Sequence, residues 1–263
     1  MKKQSTMIAC ALAAVSGVLL CLGGCNQSPE VVIYSNADEE SRLAMQDALD
    51  RAGFSGQYIF SSFSTSELGG KIMAEGGNIE ADVITASTYY LESAQQAHRM
   101  FAPLSFTFHA LEKTPGFCAP LTAQEGAIFI YTRALQENGL PRPASLKDLA
   151  SPAYKGFISI PNIRSSSTAW LMVQALVSAY GEQEAGRLLH GMMENAGPHL
   201  ENSGSGPLKK VRAGEVAIAF GLRHQAVADR KAGLPIDYVD PAEGNFMLTE
   251  SVCVTDKGSP KAL

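Results

Sequence analysis

Blocks of apolar and polar residues alternate along residues 31–98 and predict a strand, a polar turn and a helix three times in succession. The predicted strands are Val31–Tyr34, Tyr58–Phe60 and Asp82–Ile84, and each leads into residues with helical spacing of apolar positions. Because repeated strand–helix units usually build a sheet with neighbouring parallel strands, we expect an α/β domain with a mostly parallel sheet.

A second α/β unit is expected at about residues 125–245. The two units are separated by residues 103–120, which show no clear period and are predicted to be irregular. The strands predicted from there on are short and largely apolar: Ala127–Tyr131, Phe157–Ile160, Glu215–Phe220, Ile236–Val239 and finally Leu248–Val254.

Hydroxyl side chains cluster between a short strand and a helix, from Ser165 to Thr168. An apolar helix is predicted to follow from Ala169 to Tyr180, and Gln183–Asn195 is predicted to be a further helix. Hydroxyls at a helix start accept hydrogen bonds from its free N–H groups, which makes the cluster typical of a helix cap. The same N–H groups and the helix dipole can hold an anion, and both interpretations stay open.

Polar residues also follow the strands of the first unit, at Ser35-Asn36, Ser61 to Thr65 and Ser87-Thr88. The carboxyl ends of parallel strands meet at one edge of a sheet, so these positions suit a ligand site, although each turn alone is typical of a helix cap. The turn from Asn202 to Pro207 is a second candidate anion site, because its glycines allow successive N–H groups to converge.

Composition narrows the classes of function. The chain has 263 residues, of which 46% are hydrophobic and 18% charged, as is ordinary for a globular protein. Its net charge is −5 and its basic residues are not clustered, so nucleic acid is not expected as a partner. The sequence has no metal-type Cys/His spacing, no phosphate-binding glycine loop and no serine-nucleophile motif, which weakens an enzyme interpretation. We predict no metal and no cofactor.

Residues 1–24 are predicted to be a signal peptide, in which positive residues precede an apolar run from Met7 to Leu22. The run ends in Leu-Gly-Gly-Cys, which resembles the lipobox of bacterial lipoproteins, so Cys25 is expected to carry lipid. Residues 25–30 would then tether an exported protein to the outer face of a bacterial membrane.

Two cysteines, Cys118 and Cys253, remain in the part of the chain that is expected to fold. In an oxidising compartment they could form a disulfide. Two separate buried thiols are an equally good alternative, because the sequence does not reveal whether the residues meet.

Several longer motifs carry a resemblance to a known family. They are VVIYSNADEE, STSELGGKIMAEG, ADVITAS, LPRPASLKDLASPAYKGFISIPNIRSSSTAW and VRAGEVAIAFG. With these motifs and the lipobox, the chain resembles the extracytoplasmic solute-binding proteins of ABC importers, in the branch that takes ferric iron or 2-aminoethylphosphonate. The resemblance covers nearly all of residues 22–260.

The resemblance implies a two-lobe α/β fold of the type 2 periplasmic-binding-protein kind, with strands that cross between the lobes. The first lobe would span residues 31–124 and the second residues 125–245, and residues 246–263 would return to the first lobe. Family members usually continue with several helices, so the C-terminal helices are expected to be missing and the sequence truncated. The implied protein is a monomer without catalytic activity that passes a small anionic solute to an ABC permease.

The resemblance also implies which residues would contact the solute. The hydroxyl cluster matches an anion-holding loop, and the other positions match the two sides of a cleft. Arg223 is a candidate only through the resemblance. It has two equal alternatives, a bidentate contact to the anion or a solvated position on the surface. The full set is Ser35, Asn36, Ser87, Thr88, Ser165, Ser166, Ser167, Thr168, Ser203, Gly204, Ser205 and Arg223.

Two positions favour an organic anion over ferric iron, which remains the alternative. Ferric-binding members have a Tyr-Tyr pair shortly after the GEVAIAFG-like strand and a His or similar ligand after the first strand. This chain has Arg223-His224-Gln225 and Asn36-Ala37-Asp38 there, whereas Fe³⁺ prefers anionic oxygen ligands. We therefore expect 2-aminoethylphosphonate first, and its ammonium group would need a carboxylate. The candidates are Asp38, Glu39 and Asp82.

Two alternatives come from other classes. An exported hydrolase could use an exposed serine, and it would need a histidine and an acid within hydrogen-bond reach of that serine. A truncated product without function is the other alternative, which sequencing beyond Leu263 would decide.

Overall fold

The computed structural model describes residues 30–257 with the exception of Glu112. The predicted signal peptide, the lipobox with Cys25, nearly all of the predicted tether and residues 258–263 lie outside the described residues. Within the described ranges, no helix is both long enough and apolar enough to cross a membrane.

Strands and helices alternate along the described chain. Five short helical turns accompany them, at Asp50–Phe54, Gly76–Asn78, Lys147–Ala150, Pro152–Tyr154 and Gly197–His199. The strands are β1 (Val31–Ser35), β2 (Tyr58–Ser62), β3 (Val83–Ser87), β4 (Cys118–Tyr131), β5 (Ile158–Pro161), β6 (Leu200–Glu201), β7 (Ile218–Leu222), β8 (Ile236–Val239) and β9 (Met247–Val254). The helices are α1 (Glu39–Leu49), α2 (Thr65–Glu75), α3 (Thr88–His98), α4 (Thr132–Glu137), α5 (Ser167–Ala196), α6 (Gly206–Arg212) and α7 (Arg223–Lys231).

One nine-stranded sheet runs through the described part of the chain in the order β2-β1-β3-β9-β4-β7-β5-β6, and β8 pairs with β4 beside this path. β1 is parallel to β2 and to β3, as the strand–helix repeats predict. β9, the last strand, is antiparallel to both β3 and β4. The strands of the first predicted unit are therefore joined to those of the second by β9 and β4.

The predicted helices begin and end at local signals. The Asp38 carboxylate accepts a hydrogen bond from Ser41 N at 2.8 Å and caps α1. Ser64 and Glu67 form a reciprocal capping box at the start of α2. α5 contains both helices predicted between residues 169 and 195, and it kinks between them at Gly181, whose φ of 76° favours glycine.

The prediction of irregular chain over residues 103–120 is wrong at its end, because β4 begins at Cys118 and is 14 residues long. The first half of β4 pairs with β9 but leaves Leu121, Thr122 and Ala123 exposed. Since these side chains are not buried, no apolar alternation marks the strand in the sequence.

Buried apolar side chains form separate clusters. One cluster packs α2 and α3 against β3 and includes Ile72. A larger one packs α5 against β4, β5 and β7 and includes Met172 and Ile128. A third includes Phe129 and Leu208 of α6. Successive residues of β4 thus point into different clusters, as expected of a strand that is covered on both faces.

Cys118 and Cys253 lie opposite each other on β4 and β9, with their Cα atoms 4.8 Å apart, and they are joined by a disulfide. Both residues are fully buried. The sequence leaves open a disulfide or two separate buried thiols. The structure has the disulfide, because the β4–β9 register brings together two cysteines that are 135 positions apart.

We expect the double replacement Cys118→Ala and Cys253→Ala to lower the free energy of unfolding by about 2–4 kcal/mol, because a cross-link that closes a long loop restricts the unfolded chain. For a chain of this size the melting temperature should fall by about 5–15 °C, which calorimetry would measure. A reductant should lower the melting temperature of the natural protein and leave the variant unchanged. An effect of the reductant on neither protein would contradict the disulfide.

Candidate functional site

A cavity of about 810 Å³ lies where the two predicted units meet, which is a volume suited to a small solute. Its walls come from the turn after β1, the starts of α2 and α5, the turn before α6, and β9. The polar residues that line it are Asn36, Asp38, Ser41, Ser64, Thr65, Thr85, Thr122, Gln124, Ser165, Ser166, Ser167, Thr168, Glu201, Asn202, Ser203, Ser205, His224 and Glu250.

The start of α5 supplies hydroxyl and N–H groups to this cavity. Ser166 is the N-cap residue, and within the described chain its side chain makes no capping bond to the helix. A Cβ at Gly204 would lie 2.1 Å from Thr168 Oγ1, so only glycine lets the backbone of this turn come so close. Hydroxyls and N–H groups at a helix start together suit an anion.

Hydrogen bonds lead from the start of α5 to β9. Ser167 N donates to Thr65 Oγ1 at 3.4 Å. The Asn36 amide, in the orientation that satisfies its neighbours, accepts from Thr65 Oγ1 at 3.1 Å and donates to Glu250 Oε2 at 3.3 Å. Three successive contacts therefore separate the hydroxyl cluster from Glu250, and one small solute could reach both.

Glu250 is half-buried on β9. Burial raises the pKa of its carboxyl from 4.5 to about 8, and the nearby charge of Asp38 adds to this rise, whereas the hydrogen bond from Asn36 opposes it. The carboxyl is therefore held protonated at neutral pH unless a positive charge comes close.

The cavity as a whole is acidic. Asp38, Glu201 and Glu250 line it, and no lysine or arginine is among its lining residues in the described chain. An anion there would thus meet hydroxyl and N–H groups and His224, but no lysine or arginine among the described lining residues.

Most of the predicted contact residues come together at this cavity. Those that line it are Asn36, Ser165, Ser166, Ser167, Thr168, Ser203, Gly204 and Ser205.

The structure does not bring Ser35, Ser87 or Thr88 to this cavity. Ser35 is fully buried, and its Oγ accepts hydrogen bonds from Ala37 N at 3.0 Å and from Thr85 Oγ1 at 2.6 Å. Ser87 and Thr88 line a different cavity of about 800 Å³. The polar residues after β1 and those after β3 were expected together at one sheet edge. With β9 paired beside β3, they do not line the same cavity.

Arg223 also lies away from the cavity. Its Nε donates to Asp240 Oδ1 at 2.8 Å, and its guanidinium lies 5.0 Å from the centre of the Tyr238 ring. The Asp240 carboxylate raises the pKa of Arg223. Arg223 is thus paired outside the cavity, and its neighbour His224 is among the residues that line it.

Of the three carboxylates considered for an ammonium group, only Asp38 lines the cavity. Glu39 faces Lys209 at 3.4 Å, and Asp82 accepts a hydrogen bond from Val32 N at 2.9 Å. Glu250 is missing from the predicted residues, because it lies within a strand and no local pattern marks it.

Two ion pairs join α1 to α6 outside the cavity. Lys209 Nζ lies 3.4 Å from Glu39 Oε2, and Arg212 Nη1 lies 2.7 Å from Glu40 Oε1. Arg212 is also bonded to both carboxylate oxygens of the buried Asp229, at 2.8 and 2.7 Å. Exposed pairs contribute little to stability, so the two pairs between α1 and α6 add little to it.

The hydrogen bonds of the cavity serines bear on the hydrolase alternative. Within the described residues, hydrogen bonds of Ser165, Ser167 and Ser203 run to Asn202, Thr65 and the backbone, and none runs to a histidine. The hydrolase alternative, which needs such a contact, gains no support from this geometry.

Comparison with known proteins relates this chain to solute-binding proteins. Residues 115–263 match the family described as "Bacterial extracellular solute-binding protein". An uncharacterized protein of Haemophilus influenzae is 24% identical, over 93% of this chain and 73% of that protein.

Two solved structures have a similar fold. The periplasmic binding protein AfuA from Actinobacillus pleuropneumoniae is 21% identical with a TM-score of 0.76, over 89% of this chain and 76% of that one. Iron-bound HitA from Pseudomonas aeruginosa is 20% identical with a TM-score of 0.66, over 89% of this chain and 78% of that one. At these identities the likeness shows the fold alone. The expected α/β fold of type 2 periplasmic binding proteins is confirmed.

We expect Glu250→Gln to change how stability depends on pH. The folded carboxyl holds its proton up to about pH 8, whereas the unfolded one releases it near 4.5, so the free energy of unfolding falls as pH rises through this range. Glutamine has no proton to lose, so the variant should match the natural protein near pH 5 and exceed its stability at pH 9 by on the order of 1–3 kcal/mol.

Denaturant unfolding at pH 5 and pH 9 would measure this difference. Glu125→Gln is the matched control, because it makes the same change at an exposed position on β4. The same stability difference at both pH values would contradict the raised pKa of Glu250.

Proposed function

Because this chain belongs to the family of bacterial extracellular solute-binding proteins, we propose that it captures a small phosphonate, with 2-aminoethylphosphonate as the leading solute, and delivers it to the permease of an ABC importer. The protein is exported in this proposal, and lipid on Cys25 holds it at the outer face of a bacterial membrane. Two lobes, residues 31–124 and 125–245, close around the solute by a hinge motion, and residues 246–263 return to the first lobe.

The observation that carries this proposal is the hydroxyl-rich start of α5 in the cavity wall. Phosphonate oxygens accept hydrogen bonds, and Ser166 and Thr168 offer hydroxyl groups at the N-terminal end of α5, where the helix dipole favours negative charge. The turn at Ser203 to Ser205, which packs against Thr168, supplies further polar groups beside this cluster. An anion that is bound by such neutral donors does not require a basic side chain.

The relatives in fold support a solute of this chemistry. The AfuA structure is described with fructose-6-phosphate bound, so a protein of this fold accepts a phosphorylated compound. A phosphonate has the same tetrahedral group of oxygens, and 2-aminoethylphosphonate is smaller than a sugar phosphate.

Ferric iron is the second candidate, because HitA is described as iron-bound. The described residues favour phosphonate over iron in two respects. None of the residues that line the cavity is a tyrosine, and no three His, Cys, Asp or Glu side chains are grouped so that they could hold a metal ion. Fe³⁺ prefers several anionic oxygen ligands.

We expect 2-aminoethylphosphonate at 100 times its dissociation constant to stabilise the purified protein by roughly 2.7 kcal/mol, which corresponds to a melting shift of about 5–10 °C. The variant Ser166→Ala with Thr168→Val should bind about 10- to 100-fold more weakly in calorimetric titration, because hydrogen bonds to a charged group are lost. Ser62→Ala removes an exposed hydroxyl at the end of β2 and serves as the matched control.

Two results would count against this proposal. A melting shift with ferric citrate and none with phosphonates would support the iron alternative. Equal affinity of the double variant and the natural protein would place the anion elsewhere than at the start of α5.

A further inference from the structure

Ser87 and Thr88 line a second cavity, of about 800 Å³, whose walls also carry aromatic side chains from two helices. Trp170 of α5 is the single tryptophan of the chain and is 50% exposed, and Tyr89 of α3 is 72% exposed. Met247 of β9 is a further exposed apolar residue of this lining. Exposed apolar side chains that line one concave surface together with polar groups are typical of a ligand site.

The two tyrosines of the second cavity are positioned by contacts within the first unit. The ring of Tyr90 packs on Gly69 of α2, where a Cβ would lie 3.1 Å from Tyr90 Cε1. The Tyr89 ring meets the Tyr90 ring edge to face, with the ring centres 5.7 Å apart. Edge-to-face contact is a favourable geometry for aromatic rings, so Tyr90 supports Tyr89 although most of Tyr89 is exposed.

The start of α3 supplies a polar group to the same cavity. Ser87, its N-cap residue, is 3% exposed, and its side chain makes no capping bond to the helix. The neighbouring hydroxyls of Thr85 and Thr88 donate to Ser35 Oγ and to Thr249 O, whereas the Ser87 hydroxyl has no hydrogen-bond partner among the described residues. A buried hydroxyl without a partner can donate to a ligand, and the helix dipole favours negative charge at this end of α3.

The charges of this lining differ from those of the main cavity, which the hydroxyl cluster of α5 lines. In the described chain, the charged residues of the second cavity are Glu92 and Lys113, whose charges offset each other. The main cavity has three acidic side chains and neither lysine nor arginine among its described lining residues. A carboxylate therefore meets less repulsion in the second cavity, and the Lys113 ammonium group can donate to it.

We propose that the second cavity binds an aromatic carboxylate, which is a planar ring that carries one negative charge. The ring lies against Trp170 and Tyr89, and the carboxylate accepts hydrogen bonds from Ser87 and Lys113. Aromatic pairs attract each other beyond what burial of their surface provides, so these walls favour a flat ring over an alkyl group. This site is distinct from the proposed phosphonate site, although Ser167 lines both cavities.

Trp170 makes a direct test possible, because all tryptophan fluorescence of the purified protein comes from this residue. Benzoate should change this fluorescence in a saturable way. Cyclohexanecarboxylate has the charge without the aromatic ring, and benzyl alcohol has the ring without the charge. Each should bind about 10-fold more weakly than benzoate in calorimetric titration.

Two variants locate the site. Trp170→Leu should weaken benzoate binding about 3- to 10-fold in calorimetric titration, because the contact between aromatic rings is lost. Phe54→Leu is its matched control, since Phe54 is equally exposed and lies outside the cavity lining. Ser87→Ala should weaken binding about 10-fold, because a hydrogen bond to a charged group is lost, whereas the exposed Ser62→Ala should retain the affinity.

Three results would overturn this site. They are no saturable binding of benzoate, equal affinity of Trp170→Leu and the natural protein, and displacement of benzoate by 2-aminoethylphosphonate, which would place benzoate in the main cavity. Unchanged benzoate affinity in the variant Ser166→Ala with Thr168→Val is expected, since both residues line only the main cavity. The affinity for 2-aminoethylphosphonate is measured separately, so this site can fail while the proposed function stands.

Discussion

The antiparallel pairing of β4 with β9 is the constraint on which the rest of this structure depends. It runs from Cys118 opposite Cys253 to Glu125 opposite Met247. β9 is also paired with β3, and the second half of β4 is paired with β7 and β8. The parallel strands near the N-terminus and the strands of the second unit are joined in one sheet through this pair, and the buried disulfide lies within it.

The same pairing decides the chemistry of the cavity. Glu250 lies opposite Ser87 on one neighbouring strand and opposite Thr122 on the other. This position brings its carboxylate to Asn36, which follows a strand more than 200 residues earlier in the chain. The cavity therefore combines a helix start that favours negative charge with a strand glutamate whose pKa is raised by burial.

Several groups in or next to the cavity are held in states that are unfavourable for the protein alone. The pKa of Glu250 is raised to about 8, the Oε1 atom of Gln225 is buried without a partner among the described residues, and Ser166 does not use its hydroxyl to cap α5. The unfavourable free energy of such groups is offset by other parts of the protein, here by the large apolar cluster around Met172 and by the disulfide. Binding sites commonly retain polar groups that only the ligand satisfies.

The sequence by itself determined the features that rest on local chemistry. Repeated strand–helix blocks identified the α/β class, and the hydroxyl cluster at Ser165 to Thr168 marked the start of α5. Asp38 and Ser64 cap α1 and α2 through residues three positions further along the chain. Each of these signals depends on residues a few positions apart, which the backbone geometry of a helix or turn holds together in any fold.

Only the tertiary structure decided which of the polar turns share one site. In the structure Ser87 and Thr88 line a different cavity, and Arg223 donates to Asp240. Glu250 lines the main cavity from a strand that no local sequence pattern marks. The tertiary structure also paired the two cysteines. Apart from the contact of Arg223 with Asp240, these outcomes depend on strand order and register between segments more than 100 residues apart, which no short stretch of sequence encodes.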